Sequence, residues 1–265
     1  MAENCKNCET LIIDNFCGNC GQKKYKRIDK KYIFDEIQYL TIHTNKGFFY
    51  TLKNIIKDPG KTAREYIDGN RVNHYKPIGL AFILSGISAF ITFKLLGLKE
   101  TMETAYGNQE FTNNNFMHSY VEFISHYSSF LMLLSIPLYA LLTKLAFRKW
   151  GNNYFEHIVM NSYFLSFYTI LSILIAYPLM YFFRSDPNSM MSFSMYSMLA
   201  VPFLLTWFFK GFYSEKPLKK IIGKIFLIFL YALLLFLVSM ILIFIFGYIA
   251  ALLLGPETMK NLLQK

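Results

Sequence analysis

The sequence predicts an all-α polytopic membrane protein carrying a small N-terminal zinc-ribbon-like head, with interfacial amphipathic helices between the two. Three observations carry this expectation. Hydrophobic residues make up 54% of the 265, with a mean hydropathy of +0.30, and they gather into runs long enough to cross a bilayer. All four cysteines fall in the first twenty residues as two C-x2-C pairs. Lysine and arginine concentrate ahead of Pro77 and in loops beside the apolar runs, so membrane orientation accounts for the net charge of +10.

The head spans residues 1–22. Its pairs read CKNC and CGNC, eight residues apart, and place Cys5, Cys8, Cys17 and Cys20 as candidate ligands. Four thiolates at tetrahedral corners suit Zn2+, with Zn–S near 2.3 Å. With all four positions taken by protein there is no open site for water, so the metal is expected to be structural. About twenty residues cannot build a core alone, so metal binding should supply the folding energy. Unmetallated thiols, iron and a redox pair are the alternatives, disfavoured by the two evenly spaced knuckles. Gly18 and Gly21 ease the second knuckle, whereas Glu9 stands where a glycine matching Gly21 would sit. No apolar signal sequence precedes the cysteines, which places them by expectation in the reducing cytosol.

Residues 23–76 form a basic linker and interfacial helices. Lys23–Lys31, KKYKRIDKK, reads either as a solvated linker or as a polybasic segment on anionic lipid headgroups. Only Tyr25 is available there for stacking, so nucleic acid is an unlikely partner. Ile33, Phe34, Ile37, Tyr39 and Leu40 share one face of a short helix, and Phe48, Phe49, Leu52, Ile55 and Ile56 share a face of a second. Lys46, Lys53 and Lys57 suit headgroups, yet packing on the bundle is an equal alternative. Asp58-Pro59-Gly60 should stop that helix, and Thr62 to Ile67 allow another, ended by Asp68-Gly69-Asn70. Arg64, Glu65, Arg71, His74 and Tyr75 crowd the bilayer entry, as a lipid-phosphate site or, the preferred reading, as a mutually paired latch.

The head motifs CKNC and FCGNCGQK, followed by GFFYTLKNIIKDPGKTAREYIDGNR and YKP, resemble a bacterial family of unknown function, DUF3667, common in Bacteroidota. The resemblance covers the first third of the chain. It implies a zinc-ribbon-like head on a multi-pass membrane protein and carries no activity that transfers to residues here.

The transmembrane domain, residues 77–255, holds five expected spans near 77–98, 123–147, 158–183, 191–209 and 221–254, followed by a tail at 256–265. The last run exceeds what a hydrocarbon core of roughly 30 Å needs, so it should tilt, project, bend near Gly247 or fold as a re-entrant pair. Arg148, Lys149, Lys210, Lys216, Lys219, Lys220 and Lys224 lie on the same side as the N-terminal segment, against Lys99 and Arg184 opposite. The expected location is a bacterial inner membrane, with the N-terminus cytoplasmic and the C-terminus periplasmic. Trp150, Trp207, Tyr213 and Tyr248 suit interfacial belts.

No carboxylate lies well inside a span: Glu122 and Glu156 sit at span ends, and Lys94 and Lys144 can snorkel. Asn161, Ser162, Ser166 and Ser172 are expected to hydrogen-bond between helices, and Pro137, Pro178 and Pro202 to kink their spans. His118, Glu122 and His126 fall at i, i+4 and i+8, read as separate interfacial residues. His157 opens the third span on the opposite side. No nucleophile elbow, P-loop or dinucleotide fingerprint occurs, so catalytic and organic-cofactor sites are expected to be none. The expected role is a non-enzymatic scaffold or adaptor whose head docks a protein partner and whose spans contact the lipid bilayer. The alternative is a transporter or lipid-handling membrane protein.

Overall fold

The computed structural model describes residues 3–5, 8–21, 47–71, 73–107 and 114–254. The polybasic segment, the helix expected over Ile33 to Leu40 and the tail at 256–265 lie outside the described residues. The chain divides into two compact units, Met1–Asn45 and Lys46–Lys265.

The first unit is built on a short antiparallel hairpin, β1 (Glu3–Asn4) and β2 (Leu11–Ile12), which pairs Glu3 with Ile12 and Asn4 with Leu11. Among the described residues its buried hydrophobic cluster is Cys5, Ile12 and Cys17, a core too small to hold a fold without further help.

The second unit opens with α1 (Gly47–Lys57) and α2 (Pro59–Ile67). Asp58-Pro59-Gly60 ends one helix and starts the next. Pro59 takes a first-turn position that needs no N–H, and Asp58 Oδ1 accepts from Lys61 N at 2.9 Å as the cap. Gly69, at φ 115°, provides the stop at the other end.

The helix α3 (Pro77–Phe90) continues through a π turn at Ile91–Leu95, and α4 is Leu98–Gly107. Next come α5 (Asn114–Ala146) and α6 (Tyr154–Leu171), the latter started by a capping box in which Asn153 and Glu156 serve each other's backbone N–H. A π turn at Ser172–Ala176 leads into α7 (Tyr177–Phe182). Pro178 sits just beyond that turn; lacking an N–H, it cannot complete the bond to the carbonyl four residues back. The fourth run is broken into α8 (Pro187–Ser197), a 3-10 turn at Met198–Ala200 and α9 (Val201–Phe212), with Pro202 in the first turn of α9. Finally α10 (Leu218–Leu254) runs as one helix through Gly247, so the re-entrant pair does not form.

Among the described residues five helical stretches are long and apolar enough to cross a membrane: Pro77–Leu95, His118–Ala146, Tyr154–Phe182, Pro187–Phe212 and Leu218–Ile249. The fold is therefore an all-α multi-pass membrane protein. The third stretch is central, half-buried, and packs against α1, α2, α3 and α5. Tyr163 and Phe167 of α6, Phe147, and Phe208 and Phe209 of α9 are fully enclosed. Lipid tails are as apolar as these rings, so inside a bilayer the gain comes from close packing and interhelical hydrogen bonds. By contrast, α10 beyond Ile228 exposes leucine, isoleucine and phenylalanine all round, the surface of a lipid-facing helix.

Candidate metal centre

The four cysteines come from two equivalent turns. In the first, Glu9 N donates to Cys5 O at 2.9 Å; in the second, Gly21 N donates to Cys17 O at the same distance. The residue that follows each second cysteine is left-handed, Glu9 at φ 60° and Gly21 at φ 73°. The turn geometry thus demands a positive φ at both places, and the first knuckle meets it with a side chain that pays about 1–2 kcal/mol for it.

These turns bring Cys5 Sγ within 3.5 Å of Cys20 Sγ and Cys8 Sγ within 3.5 Å of Cys17 Sγ. All four sulfurs lie within 4.8 Å of one another. A disulfide would need about 2.05 Å. A tetrahedral site with Zn–S of 2.3 Å has S–S edges of about 3.8 Å, and the observed spacing is close to that. The donor set therefore fits a thiolate-bound metal. Cys8 leans further toward the ligating form: hydrogen bonds from the side chain and backbone of Thr10, then from Cys20 and Cys17, pull its thiol down to about 6. Cys5 and Cys17 are buried, while Cys20 is exposed. Among the described residues no other group of three or more His, Cys, Asp or Glu side chains converges as a metal site.

The polar residues of the junction pair partly within it and partly with the far end of α9 and the turn after it. Arg64 Nη1 donates to Glu215 Oε2 at 2.7 Å and to Phe212 O at 3.0 Å, and its Nε lies 3.6 Å from Asp68. Hydrogen bonding to Arg64 holds the Glu215 carboxyl below its usual range. His74 Nε2 lies 3.3 Å from Glu65, and Arg71 Nε donates to Tyr66 O at 3.4 Å. Of the five residues expected to pair with one another as a latch, Glu65 and His74 do so, while Arg64 is held by Glu215 and Phe212 O and Arg71 by Tyr66 O. The junction's hub is Thr51, whose Oγ1 accepts from Tyr75 N at 2.7 Å, while Tyr163 OH donates to Tyr75 O at 2.9 Å. Thr51 escaped the sequence reading, although it shares the 48, 51, 52, 55 face of α1 with Ile55 of the core. Only part of the expected apolar face packs: Phe49 and Ile56 remain exposed.

Beneath the latch, α2 meets α9 at a glycine crossing. A Cβ on Gly60 would fall 1.9 Å from Phe208 O, and one on Gly211 would fall 2.3 Å from Asp58 Oδ1. Neither position has room for a side chain.

Within the spans, Asn161 Nδ2 donates across to Thr143 Oγ1 at 2.9 Å, where His157 Nδ1 also lies at 3.1 Å. Ser162, Ser166 and Ser172 instead bond to carbonyls one turn back in their own helix, so of the four only Asn161 bridges helices. Lys144 reaches the carbonyl of Asn152. Tyr213, expected at an interface, is buried against Phe147 and Trp150, donates to Asn152 Oδ1 at 2.9 Å, and has its phenol pushed up by that burial. His118, Glu122 and His126 are exposed and do not converge: His118 Nδ1 is 4.0 Å from Glu122, and His126 turns to the Glu122 carbonyl.

Residues 45–89 match a family model described as protein of unknown function (DUF3667). Over this segment the chain is similar to DUF3667. The matched stretch is the junction itself, α1, α2 and nearly all of α3, so Thr51, Gly60, Arg64 and His74 lie within the DUF3667 segment, while their partners Tyr163, Gly211 and Glu215 lie beyond it. The cysteine head precedes it. No curated protein and no solved structure matches the chain.

Proposed function

We propose that this is a non-enzymatic scaffold or adaptor of a bacterial inner membrane, whose head holds zinc and docks a protein partner. The observation that carries the reading is the head's own surface. Its four sulfurs are committed to one site, and yet Leu11, Ile13 and Phe16 between the two knuckles stand exposed, Ile13 at 80%. Large apolar side chains grouped on a tiny metal-built unit suit a contact surface. A four-thiolate site leaves no position at which substrate or water could be activated. The distribution of Arg148, Lys149, Lys210, Lys216, Lys219 and Lys220 supports a cytoplasmic head and a periplasmic C-terminus.

The test is crosslinking in intact membranes followed by recovery of the full chain. A Cys17→Ser, Cys20→Ser variant should lose zinc and partner together. An Ile13→Glu, Phe16→Glu variant should keep zinc and lose the partner. The reading fails if the second variant recovers the same partner as the intact chain.

A further inference from the structure

Three stretches distant in sequence meet at the end of the bundle opposite the Arg148–Trp150 turn. Leu96, Met180 and Met190 are buried together, and Thr101 Oγ1 lies 3.6 Å from Met190 Sδ. This small core ties the turn at Gly97, φ 65°, to the end of α7 and the start of α8. Beside it lies an open cavity of about 720 Å³, within the usual range for small-molecule sites.

Lys94, Lys99 and Arg184 line this cavity, with Glu100 the one carboxylate on its wall among the described residues. Among the described residues none of these three cations is in an ion pair. Arg184 lies over the Tyr181 ring, 4.2 Å from its centroid. Three of the four hydroxyls on the wall are already used: Thr101 donates to Gly97 O, Thr104 to Glu100 O and Ser125 to Glu122 O, and Ser185 is the fourth. The side-chain donors left for a ligand are therefore chiefly the charged ones, which select an anion. The π turn adds Phe93 and Leu95 as an apolar wall, and such single turns recur at functional sites.

Depth narrows the ligand further. Along α5, the stretch from Lys144 back to His126 rises about 27 Å, close to one hydrocarbon thickness, and His126 lines the cavity. Lys94 closes the first span and Arg184 follows the third. The cavity thus opens at headgroup level.

We propose that this cavity binds a phosphate group carried on a larger, partly apolar molecule, either an anionic phospholipid headgroup or a soluble phosphate ester. Among the described residues, three cations outside any ion pair against one carboxylate match a group with several charged oxygens, and the volume exceeds what phosphate alone would fill. The inference is independent of the role of the head.

The full chain is reconstituted in phosphatidylcholine nanodiscs containing a minor share of phosphatidylglycerol, and retained lipid is counted by native mass spectrometry. In parallel, the chain in maltoside detergent is titrated with inorganic phosphate by calorimetry. The intact chain should retain phosphatidylglycerol selectively if the source is lipid, or bind inorganic phosphate if it is soluble. In the positive arm, Lys94→Gln, Lys99→Gln, Arg184→Gln together should weaken binding at least about tenfold, and Glu100→Gln should tighten it about two- to five-fold. The proposal is overturned if the triple variant behaves as the intact chain in both arms, or if Glu100→Gln changes neither.

Discussion

The head and the junction hold themselves together by opposite means. Among its described residues the head has three buried side chains and four sulfurs within 4.8 Å of one another, all supplied by the short stretch from Cys5 to Cys20. Among the described residues the junction gathers no such ligand cluster; it is fixed by Gly60 against Gly211, Thr51 against Tyr75, and Arg64 against Glu215. The first is local chemistry that a short stretch can specify. The second depends on partners up to 151 residues away, so it exists only once the spans have assembled.

This contrast can be broken most forcefully at the glycine crossing. Gly60→Val must push α2 off the α9 backbone, and it should destabilise the helical unit by about 3 kcal/mol or more, read as a fall in the melting temperature of the detergent-solubilised chain, with the zinc content of the head unchanged. A parallel loss of zinc would tie the two regions together and remove the distinction. Thr51→Val is the next test. It leaves the Tyr75 N–H without its acceptor, at a cost of about 1–3 kcal/mol, whereas Thr51→Ser should largely restore the melt.

Glu9→Gly sharpens the comparison from the other side. Relieving the left-handed side chain should stabilise the head by about 1 kcal/mol, seen as a roughly fivefold rise in the chelator concentration needed to strip zinc, and should leave the melt of the spans where it was. The smallest effect belongs to Arg64 and Glu215. Because Glu215 is held below its ordinary value in the folded chain, its contribution is present above that ordinary value and is lost as pH falls through the lowered one. Both groups are well exposed, so the pair is worth under about 1 kcal/mol. A Glu215→Gln variant should show a slightly flatter acid limb in a pH series of melts.

Much of this was legible in the sequence, unevenly. The cysteine spacing named the four residues that the structure brings together, because a ligand set within one short stretch leaves little freedom. The spans were legible from their apolar runs, and Asp58-Pro59-Gly60 announced a break that indeed ends α1. What the sequence hid was long-range: nothing local tells that Gly60 faces Gly211, that Thr51 receives the Tyr75 N–H, or that Lys94, Lys99 and Arg184 share a cavity. Read in order, Lys94 was only a snorkelling lysine of the first span, and Lys99 and Arg184 the sparse charges of two loops. Ser162, Ser166 and Ser172 misled for a related reason, since a span serine satisfies itself on its own helix as readily as across to a neighbour.

The measurement that tests the account most directly is zinc content per chain, taken on the intact protein and on Cys17→Ser, Cys20→Ser purified from the same membranes. The account predicts one zinc per chain in the first and none in the second, with equal amounts of both recovered from the membrane and equal melts of the helical unit. Intact chain without zinc, or a double variant that fails to enter the membrane, would contradict it.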